Sequence, residues 1–147
     1  MSTQNTPTQN STNQNSTAAA VRPRLWATLQ AREAAALIDH YTRVFGFTVT
    51  ARTDGPDGRV AHAELLWPEG AGGIMLGDHT PGRAWSREPG TAGVYVVAAD
   101  PDALYAHVTG QGADIVRPLQ TTDYGAREFT VRDPEGNLWS FGDYPGE

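Results

Sequence analysis

Residues 131–144, V-R-D-P-E-G-N-L-W-S-F-G-D-Y, contain the stretch that decides the fold. Asp133-Pro134-Glu135-Gly136 predicts a tight turn, because proline presets φ at the second position and glycine permits a positive φ at the fourth. Runs rich in β-branched and aromatic residues flank this turn on both sides. The stretch therefore predicts a β-hairpin.

The hairpin has a counterpart 66 positions upstream in the chain. Residues 62–70, H-A-E-L-L-W-P-E-G, align with residues 128–136, E-F-T-V-R-D-P-E-G. The same offset pairs Gly46 with Gly112, each at the end of a helical pattern. After one extra residue in the first copy, G-G-I-M-L-G-D aligns with N-L-W-S-F-G-D. Shared positions of this kind indicate an internal duplication.

Each copy predicts the element order β-α-β-β-β. In the first copy the alternation over 24–30 predicts a strand, and Gly46 ends a helix whose apolar stripe consists of Leu37, Ile38, Tyr41, Val44 and Phe45. The remaining strands of this copy are predicted over 47–52, 59–66 and 73–77. In the second copy, Asp100 and Pro101 predict a helix start. Its strands are predicted over 94–98, 114–117, 126–131 and 137–142.

The chain of 147 residues fits one domain, predicted over 21–147. It divides into a first module over about 24–78, a connector over 79–92 and a second module over about 93–144. Residues 1–20 carry no charge and no apolar periodicity, so we expect a disordered tail there. This tail lacks the basic start and apolar run of a signal peptide.

The composition excludes several classes of function. The chain has no cysteine and no long apolar run, so we expect no disulfide, no membrane span and a cytoplasmic location. A net charge of −6 with scattered arginines argues against a nucleic-acid partner, which requires a concentrated basic face. On net charge alone, a cationic small molecule fits the chain better.

Three motifs, taken with the paired modules, resemble one known superfamily. They are D-H-Y-T-R-V-F-G-F at 39–47, Y-G-A-R-E-F at 124–129 and D-P-E-G-N-L-W-S-F at 133–141. Together they resemble the vicinal oxygen chelate superfamily, which includes glyoxalases, bleomycin-resistance proteins and extradiol dioxygenases, and the resemblance covers about 24–144. It implies an α+β fold in which two tandem βαβββ modules form open, cup-shaped mixed sheets. It also implies a homodimer.

Metal-dependent members of this superfamily take their ligands from the first and last strand of each module. Carried over to this sequence, these positions fall on Trp26, on or beside Val94, on Met75 and on Ser140. None of these side chains is a normal ligand for a hard or borderline cation, and a shift of one residue brings in no better ligand. We therefore expect neither a metal nor another cofactor at this site.

His62 and Glu64 form a candidate pair for catalysis, metal binding or ligand contact. They stand two apart on a predicted strand, so both side chains project from one face. The pair could act as a base with its orienting carboxylate, or as two ligands of a relocated metal site. We favour the interpretation that the two side chains contact a ligand or stabilise the structure. His40, His79 and His107 are interpreted as surface or hydrogen-bonded histidines.

The aromatic side chains suggest a stacking surface for a ligand. Trp26 replaces a chelating residue with a flat indole, next to Thr28 on the same face of the first strand. Tyr124 flanks the lead-in to the seventh strand and, with Tyr95 or Trp85, could approach this surface from the second module. Trp85, in the connector, is either a lid over a pocket or a dimer contact.

Arg127 flanks the same lead-in. It could pair with an anionic group of a ligand, or it could brace one of three carboxylates: Glu128, Asp133 or Glu135.

These features predict a metal-free homodimer that binds a small molecule. The expected function is sequestration of an aromatic or amphipathic compound such as an antibiotic, similar to the bleomycin-resistance members of the superfamily. The ligand-binding residues predicted are Trp26, Thr28, His62, Glu64, Met75, Val94, Tyr124, Arg127 and Ser140. The alternative is a metal-dependent lyase or isomerase that uses His62 and Glu64. The sequence leaves open whether the cleft lies within one chain or across two.

Overall fold

A computed structural model describes residues 22–147. The tail predicted over 1–20 lies outside the described residues. In order along the chain, the elements are β1 (Trp26–Ala31), α1 (Ala34–His40), β2 (Thr48–Asp54), β3 (Val60–Leu66), β4 (Gly73–Asp78), β5 (Gly93–Val97), α2 (Pro101–Gly110), β6 (Asp114–Thr121), β7 (Arg127–Arg132) and β8 (Leu138–Gly142). The predicted β-α-β-β-β order is thus present twice.

The strands form two mixed sheets of the same topology. The first sheet has the order β1-β4-β3-β2 and the second has the order β5-β8-β7-β6. In each, the first and last strands of the module are parallel, and the other neighbours are antiparallel. The α+β class and the tandem modules are therefore confirmed.

Helix α1 ends differently from the prediction. A single helix was predicted up to Gly46, but its last turn, Tyr41–Phe45, is a wide π-helical turn. Gly46 closes this turn at φ 93°, a left-handed conformation that glycine adopts without steric cost. Within the wide turn, Tyr41, Val44 and Phe45 are all buried. The turn therefore places three apolar side chains of the helix end in the core.

Strand β6 continues four residues beyond its predicted end at 117. The next residue, Pro118, cannot donate a backbone hydrogen bond to a neighbouring strand. Strand β6 lies at the edge of its sheet, and its pairing with β7 is irregular between Arg117 and Gln120. An irregular edge strand accommodates proline, which explains the difference.

One aromatic cluster joins the two modules. The ring of Tyr41 on the first module lies 4.9 Å from that of Trp139 on the second, and Phe45 lies 5.1 Å from Phe141. Trp67 and Phe141 are 5.8 Å apart. Trp139 and Phe141 are completely buried, as the alternation around Ser140 predicts. The modules thus share a single core, and the opposite face of each sheet, here called its open face, is left to form the site.

Asp133 fixes the turn of the last hairpin from inside this core. Its carboxylate accepts hydrogen bonds from the Tyr41 hydroxyl at 2.6 Å, the Asn137 side-chain amide at 2.8 Å and the Trp139 indole at 3.2 Å. The backbone N–H groups of Glu135 and Asn137 donate to its other oxygen. Five donors satisfy this buried carboxylate. The tight turn predicted from the sequence is therefore also a polar anchor.

Candidate functional site

Three predicted ligand-binding residues form a row across the open face of the first sheet. Thr28 on β1 is paired with Met75 on β4, and Met75 is paired with Glu64 on β3. Paired residues on neighbouring strands project from the same face of a sheet, so the three side chains lie side by side. The structure therefore brings these residues together.

His62 continues this row along β3. Its Nε2 atom lies 3.0 Å from Oε1 of Glu64, and the two side chains are 47% and 32% exposed. Each side chain thus provides a hydrogen-bond partner for the other, and both remain accessible from the open face. The geometry supports hydrogen bonding to a ligand.

Trp26 lies at the end of the same face. A Cβ atom added to Gly73, its partner on β4, would collide with the six-membered ring of the Trp26 indole. The indole therefore occupies the space that a side chain at position 73 would fill. The Trp26 side chain remains partly exposed.

A second row lies on the open face of the second sheet. Tyr95 on β5 is paired with Ser140 on β8, which is paired with Thr130 on β7. The hydroxyl oxygens of Thr130 and Ser140 are 2.9 Å apart. Val94 is paired with the buried Trp139 and faces the core. The first-strand residue on the open face is therefore Tyr95, one position beyond Val94.

Tyr124 lies next to a carboxylate that sequence reasoning missed. Its hydroxyl donates to Oε2 of Glu128 at 3.1 Å, and the guanidinium of Arg117 pairs with the other oxygen. The Glu128 side chain is only 9% exposed. The internal repeat contained a signal for this position, because it aligns Glu128 with His62. The tyrosine ring is 64% exposed and can contact a ligand.

Arg127 lies on the helix-facing side of β7. Its guanidinium donates to Asp102 of α2 at 2.7 Å and to the Thr121 hydroxyl at 3.1 Å. The hydrogen bond from Arg127 lowers the pKa of the Asp102 carboxyl. The structure thus gives Arg127 the bracing role and does not bring it to the open face. Its carboxylate partner is Asp102 and not Glu128, Asp133 or Glu135, because Arg127 projects toward α2.

The other three histidines, His40, His79 and His107, belong to neither row. Nδ1 of His79 is 2.5 Å from the Gln30 side-chain oxygen, and Nε2 of His107 is 3.1 Å from the Arg43 carbonyl oxygen. Nε2 of His40, in contrast, is buried without a hydrogen-bond partner in the described part of the chain. Burial lowers the pKa of His40, although the Asp133 carboxylate opposes this effect. His40 is therefore the one of these three that the prediction of a hydrogen-bonded histidine does not fit.

Two separate cavities lie over the open faces. One, of about 220 Å³, lies over the first sheet, and its lining includes Thr28, His62 and Met75. The other, of about 430 Å³, lies over the second sheet, and its lining includes Val94, Tyr95 and Ser140. Both cavities are open to solvent. Five of the nine predicted ligand-binding residues thus line one cavity or the other, and four line neither: Trp26, Glu64, Tyr124 and Arg127.

Comparison with known proteins identifies the family. The family model described as Glyoxalase/Bleomycin resistance protein/Dioxygenase superfamily matches residues 25–141. The chain belongs to this superfamily. The match covers both modules and the connector, so the resemblance inferred from the three motifs is confirmed.

Several superfamily relatives match the chain over most of its length. The uncharacterized protein Rv0887c of Mycobacterium tuberculosis is 31% identical over 129 residues, which are 83% of this chain and 75% of the relative. The structure of TioX from Micromonospora sp. ML1 is 32% identical with a TM-score of 0.66, and the match covers 81% of this chain and 94% of TioX.

A solved structure of lower identity is that of TnmS3, an antibiotic binding protein from Streptomyces sp. CB03234. It is 20% identical to this chain with a TM-score of 0.66, and the match covers 85% of this chain and 95% of TnmS3. At this level of identity the likeness concerns the fold.

The residues present do not fit the divalent metal that other superfamily members hold. The positions concerned carry an indole, a thioether and a hydroxyl group at Trp26, Met75 and Ser140, together with Tyr95 on the open face of β5. These groups are poor ligands for such a cation. His62 and Glu64 are only two ligands, and within residues 22–147 no group of three His, Asp or Glu side chains is placed to hold a metal.

The helices add one further observation. Within the described residues, neither helix is long and apolar enough to cross a bilayer.

Proposed function

We propose that the protein is a metal-free binding protein that sequesters an aromatic or amphipathic small molecule, such as an antibiotic. The observation that carries this proposal is the chemistry of the open faces. Where metal-dependent relatives hold chelating groups, this chain has Trp26, Met75, Tyr95 and Ser140. Such side chains offer stacking, apolar contact and hydrogen bonding to an organic ligand.

The likeness to known proteins supports this proposal in part. The superfamily description includes bleomycin resistance proteins, and TnmS3, which has the same fold, is described as an antibiotic binding protein. We propose that this chain shares binding of that kind, with contacts from Trp26, Thr28, His62, Glu64, Met75, Tyr95, Tyr124 and Ser140.

We further propose that the site is completed in a homodimer. The two cavities lie over different sheets, and each alone is open to solvent. A drug-sized ligand buries most of its surface in its site, which a single open face does not provide. If the first sheet of one chain faced the second sheet of its partner, residues that line both cavities would contact one ligand.

The test is calorimetric titration of the EDTA-treated full-length protein with a panel of planar aromatic antibiotics. We expect at least one compound to bind, and we expect Trp26→Ala to weaken its binding about tenfold, because an aromatic contact and its buried area are lost. Leu25→Ala is the matched control, since Leu25 is adjacent in sequence but lines a different cavity.

Two results would contradict the proposed function. One is a lack of binding by every compound of the panel. The other is binding that disappears on EDTA treatment and returns with a stoichiometric metal, which would instead favour the alternative enzyme with a metal at His62 and Glu64.

A further inference from the structure

The connector between the modules forms part of the cavity over the first sheet. Thr80 and Arg83 line this cavity together with Thr28, His62 and Met75. Thr80 and Arg83 belong to the connector, whereas Thr28, His62 and Met75 lie on the open face of the first sheet. A ligand in this cavity therefore contacts the connector as well as the sheet.

Hydrogen bonds hold this part of the connector in one conformation. The backbone N–H of His79 donates to the Ala31 carbonyl at 2.7 Å, which attaches the connector to the end of β1. The Ser86 hydroxyl donates to the Thr80 carbonyl at 2.7 Å, and the Ser86 N–H donates to the Arg83 carbonyl at 3.0 Å. These bonds close a short loop that carries Arg83, so the backbone position from which its side chain extends is largely preorganised.

The charge of Arg83 has no acidic partner within the described residues. Arg83 takes part in none of the ion pairs found there, whereas six other arginines pair with carboxylates: Arg32, Arg43, Arg52, Arg117, Arg127 and Arg132. The guanidinium carbon of Arg83 instead lies 5.8 Å from the ring centroid of Trp85, an indole that is 73% exposed. Such stacking leaves the N–H donors at the guanidinium edge free for a ligand.

The acidic groups near this cavity already have partners. The two carboxylate oxygens of Asp78 accept backbone hydrogen bonds from Ala34 at 2.9 Å and from Val60 at 2.7 Å. Glu64 is paired with His62. Neither carboxylate pairs with Arg83, so the cation that lines the cavity remains able to attract an anion.

We propose that Arg83 is a specificity-determining residue that binds an anionic group of the ligand, and that the ligand is a planar aromatic compound with an ionised carboxylate or phenolate. Trp85 acts as a positioning residue that holds the guanidinium at the rim of the cavity. This inference rests on the proposed function and adds to it the chemical class of the ligand. A guanidinium binds a carboxylate through two parallel hydrogen bonds, which gives both affinity and orientation.

The test compares two planar probes that differ in charge, 2-naphthoate and the neutral 2-naphthamide, by calorimetry on the full-length protein. We expect the wild type to bind 2-naphthoate roughly tenfold more tightly, as a charge-assisted hydrogen bond implies. Arg83→Gln should abolish this preference, mainly by weakening the binding of 2-naphthoate. Arg87→Gln is the matched control, because it removes the same charge from the same connector without altering the cavity lining.

The role of Trp85 has its own readout. Trp85→Ala should reduce the preference for 2-naphthoate several-fold and make the remaining binding more sensitive to salt, because the guanidinium is then held less firmly and is better hydrated. Trp85→Phe should restore most of the preference. A structural role for Trp85 would instead lower the affinity for both probes equally.

The outcomes separate this inference from the proposed function. Equal binding of both probes by the wild type, or an unchanged preference in Arg83→Gln, would overturn the role of Arg83 and leave small-molecule binding standing. Binding of neither probe, when neutral antibiotics of the wider panel do bind, would overturn the anionic class alone. Binding of no compound at all would overturn both.

Discussion

Asp133 and His40 show how differently two neighbouring ionisable residues can be accommodated, one buried and the other half-buried. Asp133 accepts five hydrogen bonds, and one of them, from the Tyr41 hydroxyl, is 2.6 Å long. Burial, followed by the nearby Asp133 carboxylate, raises the pKa of Tyr41, so this hydroxyl stays protonated and donates. His40 has a buried Nε2 atom without a partner in the described residues, and burial lowers its pKa. The uncharged form of His40 is therefore the one that fits the folded state.

We predict that His40→Leu makes stability less dependent on pH. A histidine whose pKa is lowered on folding binds more protons in the unfolded chain, so wild-type stability falls as the pH drops through the ordinary histidine pKa of about 6.5 toward the lower folded value. Leucine removes this proton linkage and the unpaired nitrogen. Urea unfolding at pH 7.5 and 5.0 should show a larger loss of stability in the wild type than in the variant.

The matched control for this prediction is His107→Leu, because His107 is an exposed histidine on the other helix. A change of pH dependence as large in this control as in His40→Leu would show that the effect does not belong to His40. If His40→Leu lost as much stability between pH 7.5 and 5.0 as the wild type does, the interpretation of His40 as a half-buried neutral histidine would be wrong.

Single residues also show what the sequence could and could not predict about the site. Alternation around Ser140 correctly placed Trp139 and Phe141 in the core, because side chains on a strand alternate between faces. The first-strand position in the second module was placed on or beside Val94, and the register puts Tyr95 on the open face. Glu128 was missed because its partner Arg117 lies on another strand, and such pairings require the three-dimensional register.

At the scale of elements, the two Pro-Glu-Gly turns exchange equivalent contacts. Glu135 in the second module accepts hydrogen bonds from the backbone N–H groups of Arg32 at 2.5 Å and Glu33 at 3.2 Å, just before α1. Glu69 in the first module accepts one from the Ala99 N–H at 2.8 Å, just before α2. Each module thus supplies a carboxylate near the N-terminal end of the other module's helix, where the helix dipole favours a negative charge.

We predict that Glu135→Ala destabilises the protein by about 1–2 kcal/mol and Glu69→Ala by about 1 kcal/mol, as loss of a capping acceptor does. Glu135 should have the larger effect because it accepts two hydrogen bonds and its side chain is only 10% exposed. Urea unfolding at pH 7 measures both values. Glu88→Ala, a substitution in the exposed part of the connector, is the control and should change stability little.

A destabilisation of both variants no greater than that of Glu88→Ala would show that these contacts contribute nothing to the joining of the modules.

The sequence revealed the repeated turns but not the exchange of contacts between them. The repeat itself aligned Glu69 with Glu135. The packing of one module on the other, however, depends on an aromatic core contributed by both modules, and no local pattern contains that arrangement.

At the scale of the whole molecule, the open face of the second sheet has exposed apolar side chains. Tyr95, Val97 and Leu138 are 42%, 44% and 41% exposed, and their strand positions place them on the same face as Ser140. Exposed apolar groups that adjoin one another on a sheet are typical of a binding surface. They suit the proposed arrangement in which this face meets the first sheet of a partner chain.

We predict that the full-length protein has twice its chain mass of 15.8 kDa in solution. Val97→Glu should convert it to the monomer, because a charge in a desolvated contact is costly, and should also weaken ligand binding. Light scattering after size-exclusion chromatography measures the mass, and circular dichroism verifies that the variant is folded. A wild-type monomer that binds its ligand fully would contradict the proposal that two chains form the site.

The reciprocal glutamate contacts have a consequence for the origin of the chain. If half of the present sequence were made alone, the start of its helix would lack the carboxylate that its sister half provides, and part of the shared aromatic core would face water. Two such halves could supply these groups to each other as separate polypeptides. The ancestral single-module gene would then have encoded a self-associating product, and its tandem fusion made a pre-existing partnership covalent.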